Sequence, residues 1–429
     1  MKKIKMMMAA ALGVLVSCGS VKSGEEAIAA SRESKVVVAY VTSWSEVMPD
    51  PQYMTHINYA FGHVNESFNG VKIDNEERLR QIVDLRKQKP ELKVLLSIGG
   101  WGSGRFSEMA ANDEYRRAFA ADCDRVVKEF ALDGIDIDWE YPTSSMANIS
   151  SSPDDTENFT LLMQDIRAAI GNEKELTLAT VASARYIDFK AILPSVDFVN
   201  IMAYDMASAP KHHSALYPSG HSGDITSDGA VTAHLKAGVP PSKLVMGMPF
   251  YGRGGDGYPS FQDYNKVGNT DTQYTEKWDE VAQVPYLADK NDTLVFGFEN
   301  PRSLAIKCQY ILDKDLLGGM YWDYSGDNEQ GDLRRTVAEN LLGKPHKAKV
   351  LVLTERGGQH GGFTDAGLRW LAAEGAKGNF SITEINNARN ITEAYLSQFS
   401  LVIQLDFPPY TWPKDCLLYT SDAADDRIS

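Results

Sequence analysis

Only 4 cysteines occur in 429 residues, too few for a disulfide framework, and no cluster of cysteine and histidine has metal-ligating spacing. Basic residues are also in short supply: 43 lysines and arginines face 58 aspartates and glutamates, for a formal net charge of -15. Nucleic acids and anionic membrane surfaces both demand basic patches, so neither is expected as a partner. A neutral or cationic polymer fits this charge better. Long apolar runs are missing too, because the stretch from Met6 to Val16 is too short to span a bilayer.

That stretch follows Lys2, Lys3 and Lys5 and precedes Ser17-Cys18, the layout of an export signal. Leu15-Val-Ser-Cys18 resembles a bacterial lipobox, in which cleavage exposes a cysteine that is then lipidated. Residues 1–18 are therefore expected to be a lipoprotein signal peptide and residues 19–34 a polar tether. The expected location is the bacterial cell envelope, with membrane contact only through the lipid on Cys18. Cys123 and Cys308 sit in helix-like segments and read as two buried thiols. His212-His213 reads as a loop pair.

From Lys35 to Leu342, short β-branched or apolar runs alternate with helical stretches, the pattern of a parallel β/α architecture. Eight strands are predicted: Val36 to Trp44, His56 to Val64, Lys93 to Trp101, Gly134 to Tyr141, Leu176 to Ala182, Phe198 to Asp205, Leu244 to Tyr251 and Gly318 to Tyr324. Amphipathic helices are predicted between them, among them Glu76 to Gln88, Asp113 to Phe130 and Asp155 to Ile170. Eight such units in about 300 residues specify an α/β fold, the (β/α)8 TIM barrel, over residues 35–343. Chemistry then belongs at the carboxyl ends of the strands. Residues 252–300 are too many for one helix and rich in aromatics, so a small α+β insertion between strands 7 and 8 is expected to wall a cleft.

A further α/β unit is expected over residues 347–415, with strands at Val350 to Leu353 and Leu401 to Leu405 around the glycine-rich loop Glu355 to Gly362. The run Cys416-Leu-Leu-Tyr-Thr-Ser-Asp-Ala-Ala-Asp-Asp426 departs from what precedes it and resembles a translated sequencing-library adapter. Residues 416–429 are accordingly read as foreign, and the natural chain is expected to continue beyond Asp415.

The chemical signal is Asp133-Gly-Ile-Asp136-Ile-Asp138-Trp-Glu140. On a strand, Ile135, Ile137 and Trp139 face the helices while Asp136, Asp138 and Glu140 face into the barrel. Inward positions are only ~6.6 Å apart, so burial and repulsion should raise at least one carboxyl pKa. Such an arrangement suits an enzyme that needs a protonated acid near neutral pH. The carboxylates could instead hold a divalent metal, but the other strand ends offer Trp, Tyr, Met and Gly rather than further oxygen ligands or His. Aromatic faces stack on sugar rings, so a carbohydrate cleft is favoured, with no metal and no cofactor.

Four motifs, in order on the expected strands, give this barrel a resemblance to glycoside hydrolase family 18, the chitinases and related endo-β-N-acetylglucosaminidases. They are Ser97-Ile-Gly99-Gly100, Asp133-x-x-Asp136-x-Asp138-x-Glu140, Met202-x-Tyr204-Asp205 and Trp322. The resemblance implies hydrolysis of β-1,4 bonds in chitin or other N-acetylglucosamine glycans by a monomer, with the substrate's own acetamido oxygen as nucleophile. It implies that Glu140 protonates the leaving oxygen and later activates water, and that Asp138 orients the acetamido group, backed by Asp136. Tyr204 would hold the acetamido oxygen and Trp322 would floor the distorted sugar. Asp205, Met202, Tyr141, Trp101, Phe61 and Tyr251 would add binding surface. Ser97, Gly99, Gly100 and Asp133 would support them from behind. An endo-β-N-acetylglucosaminidase of N-glycans and a non-catalytic chito-oligosaccharide-binding protein remain as alternative readings. Val350 to Thr354, His360 and Phe399 to Asp406 resemble the start of a trehalose-utilisation (ThuA-like) domain, which implies a glutamine-amidotransferase-like fold.

Overall fold

The computed structural model describes residues 35–255, 257–267, 273–343, 349–354, 361–375, 380–386, 393–396 and 399–405. The expectations for Cys18, the 19–34 tether, His360, Asp406 and residues 416–429 lie outside the described residues.

The chain begins with β1 (Val36–Thr42), β2 (His56–Val64), the short β3 (Val71–Ile73), β4 (Lys93–Gly99), β5 (Gly134–Asp138), β6 (Glu175–Val181), β7 (Phe198–Met202) and β8 (Leu244–Pro249). A five-stranded antiparallel sheet follows, made of β9 (Tyr251–Gly254), β10 (Gln262–Asp263), β11 (Thr275–Asp279), β12 (Val284–Ala288) and β13 (Leu294–Gly297). The chain then returns to the barrel in β14 (Gly318–Trp322). β1 pairs in parallel with both β14 and β2, and this double pairing closes the barrel of β1, β2, β4, β5, β6, β7, β8 and β14. The closed eight-strand parallel barrel is the one the alternating pattern specifies.

Side-chain alternation sorts the core into two layers. Val37, Ala39, Val41, Ile135, Ile137 and Trp139 point outward and join the large apolar cluster under the helices. Val38, Tyr40, Phe61, Phe198, Val245 and Met320 fill the barrel interior. The outer layer is supplied by helices such as Glu76–Val83, Asp113–Glu129, Asp155–Ile170, Pro301–Asp313 and Asp332–Leu341. The first of these ends as an α-helix at Val83 and continues as a 3-10 turn over Asp84–Lys87, shorter than the pattern predicts. Cys123 and Cys308 lie buried on Asp113–Glu129 and Pro301–Asp313 and are not bonded to each other.

Several predicted strands run past the observed ends. β1, β4, β5 and β7 stop at Thr42, Gly99, Asp138 and Met202, two or three residues early. Positive φ marks where the chain turns out of the ladder to shape the cleft: Gly99, the last residue of β4, has φ of 132°, and Gly100 and Asp205 beyond the strand ends have φ of 92° and 55°. Among the described residues of 252–300 there are strands and the 3-10 turn Tyr264–Lys266, with no α-helix.

At the carboxyl end, β15 (Lys349–Leu353) is flanked in parallel by β16 (Ser381–Ile385) and β17 (Leu401–Gln404), with the helix Gly361–Glu374 between β15 and β16. β16 is missed by sequence reasoning, because Ser-Ile-Thr-Glu-Ile is short and largely unburied.

Candidate active site

Asp136 is fully buried and receives donors from four other strands. Tyr40 of β1 and Ser97 of β4 each donate to Oδ2 at 2.8 Å. Thr177 of β6 donates to Oδ1 at 2.6 Å and Asn200 of β7 at 3.3 Å. Burial raises its carboxyl above the ordinary range, and the four donors oppose that rise. Asp138, one inward step up the strand, has no such support. Its Oδ1 is buried with no hydrogen-bond partner among the described residues. Burial raises its pKa well above normal, and the Glu140 and Asp136 charges add to the rise.

Glu140 follows the end of β5, half-buried at the cleft floor. Burial pushes its carboxyl up to about 7; the Tyr141 hydroxyl opposes this and the Asp205 charge adds to it. A carboxyl poised there can donate a proton near neutral pH and take one back. Tyr204 is raised too, by burial first and then by Asp138, Asp205 and Glu140, so its hydroxyl stays protonated and able to donate.

Asp205 is a different kind of acid. Arg253 of β9 grips it with two hydrogen bonds of 2.7 and 2.6 Å, and His213 lies 3.5 Å away. Burial works to raise its pKa, but these partners hold the carboxyl well below the usual range. Its side chain keeps 40% of its surface exposed to the cleft.

The cleft has a volume of about 740 Å³. Trp322 stacks against Phe61 at 5.6 Å and 20°, with Tyr40 at 5.6 Å and Trp44 at 6.4 Å. Tyr141 stacks on Tyr186 at 5.5 Å and meets Trp101 edge-on at 6.5 Å. The structure thus brings together Phe61, Trp101, Asp138, Glu140, Tyr141, Met202, Tyr204, Asp205, Tyr251 and Trp322 around one cleft. Asp136 and Ser97 lie directly behind them. The glycines at the end of β4 are there for close approach: a Cβ on Gly99 would stand 2.0 Å from the Asp138 carbonyl oxygen, and one on Gly100 2.7 Å from the Phe61 ring.

Asp133 is not part of this group, which corrects its expected supporting role. It precedes β5 at the opposite end of the barrel, pairing with Arg86 and accepting the Val94 N–H at 2.7 Å. Five residues along a strand span about 16 Å, so Asp133 braces the barrel floor. His212 and His213 are buried rather than a plain loop pair. His213 packs 5.4 Å from the Tyr251 ring, and burial pushes His212 down to about 4 despite Asp279.

Sequence reasoning missed Tyr40, Trp44, Arg253 and His213. Tyr40 was findable as an inward position of β1, whereas Arg253 gives no local signal because its partner lies 48 residues away. Among the described residues no group of three or more His, Cys, Asp or Glu is arranged to hold a metal ion.

A parallel barrel with a stacked carboxylate ladder at its carboxyl-terminal face, in a cleft lined by aromatic rings, is suited to binding sugars and to acid catalysis on them. Glycosyl hydrolases family 18 matches residues 36–327, and this chain belongs to that family. Chitinase A1 of Niallia circulans is 29% identical over 71% of this chain and 58% of its own, so the chain spans less than two thirds of that relative. Chitotriosidase-1 of Mus musculus is 31% identical over 69% of this chain and 74% of its own. A family 18 N-acetylglucosaminidase structure from Paenibacillus barengoltzii superposes with a TM-score of 0.66 at 32% identity, covering 71% of this chain and 99% of that one.

Proposed function

We propose that this chain is a chitinase-type hydrolase that cleaves β-1,4 bonds next to N-acetylglucosamine residues with retention, using the substrate's acetamido group as nucleophile. One observation carries this reading. The carboxylates lining the cleft are Asp138, Glu140 and Asp205; Asp138 shares a strand face with Glu140, and Asp205 is gripped by Arg253. None is a free nucleophile across the cleft, as ordinary retaining glycosidases require. A substrate that brings its own nucleophile resolves this.

In this reading Glu140 protonates the leaving oxygen and then activates water. The unpartnered Oδ1 of Asp138 accepts the acetamido N–H and its charge balances the ring that forms, while Asp136 and its four donors fix Asp138 from behind. Tyr204 donates to the acetamido oxygen, and Trp322 and Phe61 floor the sugar being cleaved. Asp205, Met202, Tyr141, Trp101 and Tyr251 bind the flanking sugars. The sheet of β9 to β13 walls the cleft, and Arg253 reaches Asp205 from it.

The export reading of residues 1–18, with lipid on Cys18, places a monomeric enzyme at the cell envelope; the three amino-terminal lysines and the short apolar run support it. The parallel order β16-β15-β17 supports a ThuA-like beginning for the carboxyl-terminal unit. The activity is tested by offering one preparation chitotetraose and a high-mannose glycoprotein. Release of chito-oligomers from the first is expected; release of glycan from the second alone would replace the chitinase reading.

A further inference from the structure

The loop after β4, Gly100-Trp101-Gly102-Ser103-Gly104, carries three glycines in five residues, with Gly100 and Gly102 at φ of 92° and 81°. Glycine maximises backbone freedom, yet this loop holds Trp101, 61% exposed, at the cleft wall. The Trp101 ring meets Tyr141 only edge-on at 6.5 Å. Its backbone anchors are few: Gly100 N–H donates to the Asp138 carbonyl at 2.8 Å, and Ser103 N–H turns back on the Gly100 carbonyl at 2.9 Å.

One side chain ties the loop to the barrel. The Ser103 hydroxyl lies 2.8 Å from His63 Nδ1, and His63 Nε2 lies 2.9 Å from Asp74 Oδ2. The carboxylate accepts, so Nε2 carries a proton, and Nδ1 is left facing the Ser103 hydroxyl. Asp74 is itself fixed, since its N–H donates to the Phe61 carbonyl at 3.0 Å and its carbonyl accepts from Tyr59 at 2.9 Å. The order Ser, His, Asp is that of a nucleophile with its base. An acyl-transfer role would want the serine's own N–H free for an oxyanion, and here it is spent on Gly100. The arrangement is a clasp.

We propose that His63, oriented by Asp74, is a positioning residue that fixes the Trp101 loop as a rigid wall and so sets how tightly the cleft holds an extended sugar chain. The binding arm of this proposal rests on the proposed function; the loop arm does not. Losing one such hydrogen bond changes an equilibrium by about fivefold. Ser103→Ala should therefore speed amide exchange at Ser103 by about fivefold and raise KM for chitohexaose by a similar factor, with kcat changing by less than about twofold. Asp74→Ala, which acts through His63 without altering the loop, should do the same, and Ser103→Thr, which keeps the hydroxyl, should restore both readouts. Unchanged exchange in both Ala variants overturns the clasp, and faster exchange with an unchanged KM overturns its role in holding the sugar chain. If the wild-type chain hydrolyses no chito-oligomer, the functional reading fails while the exchange experiment still decides whether the clasp orders the loop.

Discussion

Replacing Tyr141 by Phe should move the alkaline limb of the pH profile upward. Burial holds Glu140 at about 7, and the Tyr141 hydroxyl acts against that rise by favouring the charged carboxylate. Deleting the hydroxyl removes stabilisation of the charged form alone, so the protonated acid persists to higher pH. A hydrogen bond to a charged group is worth about 1.5–3 kcal/mol, and one pKa unit is about 1.4 kcal/mol. Glu140 is half-buried and partly screened, so the shift is expected at the low end, about one unit. The assay is kcat/KM on chitotetraose across neutral pH. The wild-type limb should fall near 7 and the variant's about one unit higher, whatever happens to the height of the curve. A limb that stays in place or moves down would refute Glu140 as the titrating acid.

Two other predictions concern stability. Lys307 and Glu299 form a fully buried pair, in which Lys307 also donates to the Ser214 carbonyl and Ser214 to Glu299, both at 2.5 Å. Lys307→Met strands the carboxylate and should cost about 3–5 kcal/mol in urea unfolding, with Glu299→Gln in the same chain recovering more than half; a loss under about 1 kcal/mol contradicts this. Burial pushes His234 down to about 4, below its unfolded value of about 6.5. The unfolded chain then binds more protons in that window, so stability falls as pH drops through it. His234→Leu should shrink the loss between about pH 6.5 and 4.5 by about 2–3 kcal/mol relative to wild type, and an unchanged loss would show that His234 titrates normally.

The barrel was legible because apolar runs alternate with helical stretches eight times, and the ladder because it is a period-two signal. Ile135, Ile137 and Trp139 could only face one layer, and Asp136, Asp138 and Glu140 the other. Strand-end motifs added Tyr204, Asp205 and Trp322 by position alone. The same contiguity misled at Asp133, which belongs to the run in sequence but sits at the far end of a strand whose length separates it from the chemistry. Arg253 and His213 were invisible for the opposite reason. Their roles arise when β9 and the loop after β7 meet around Asp205, a juxtaposition that no local pattern encodes. The clasp of His63, Asp74 and Ser103 likewise joins three segments, β2, the end of β3 and the loop after β4, that strand pairing brings side by side.

The central claim, that Glu140 is the proton donor in a cleft where the substrate supplies the nucleophile, is tested most directly by Glu140→Gln. The variant keeps the shape and removes the acid. It should still bind chitotetraose with an affinity close to that of wild type while losing hydrolysis, and substantial turnover by the variant would contradict the account.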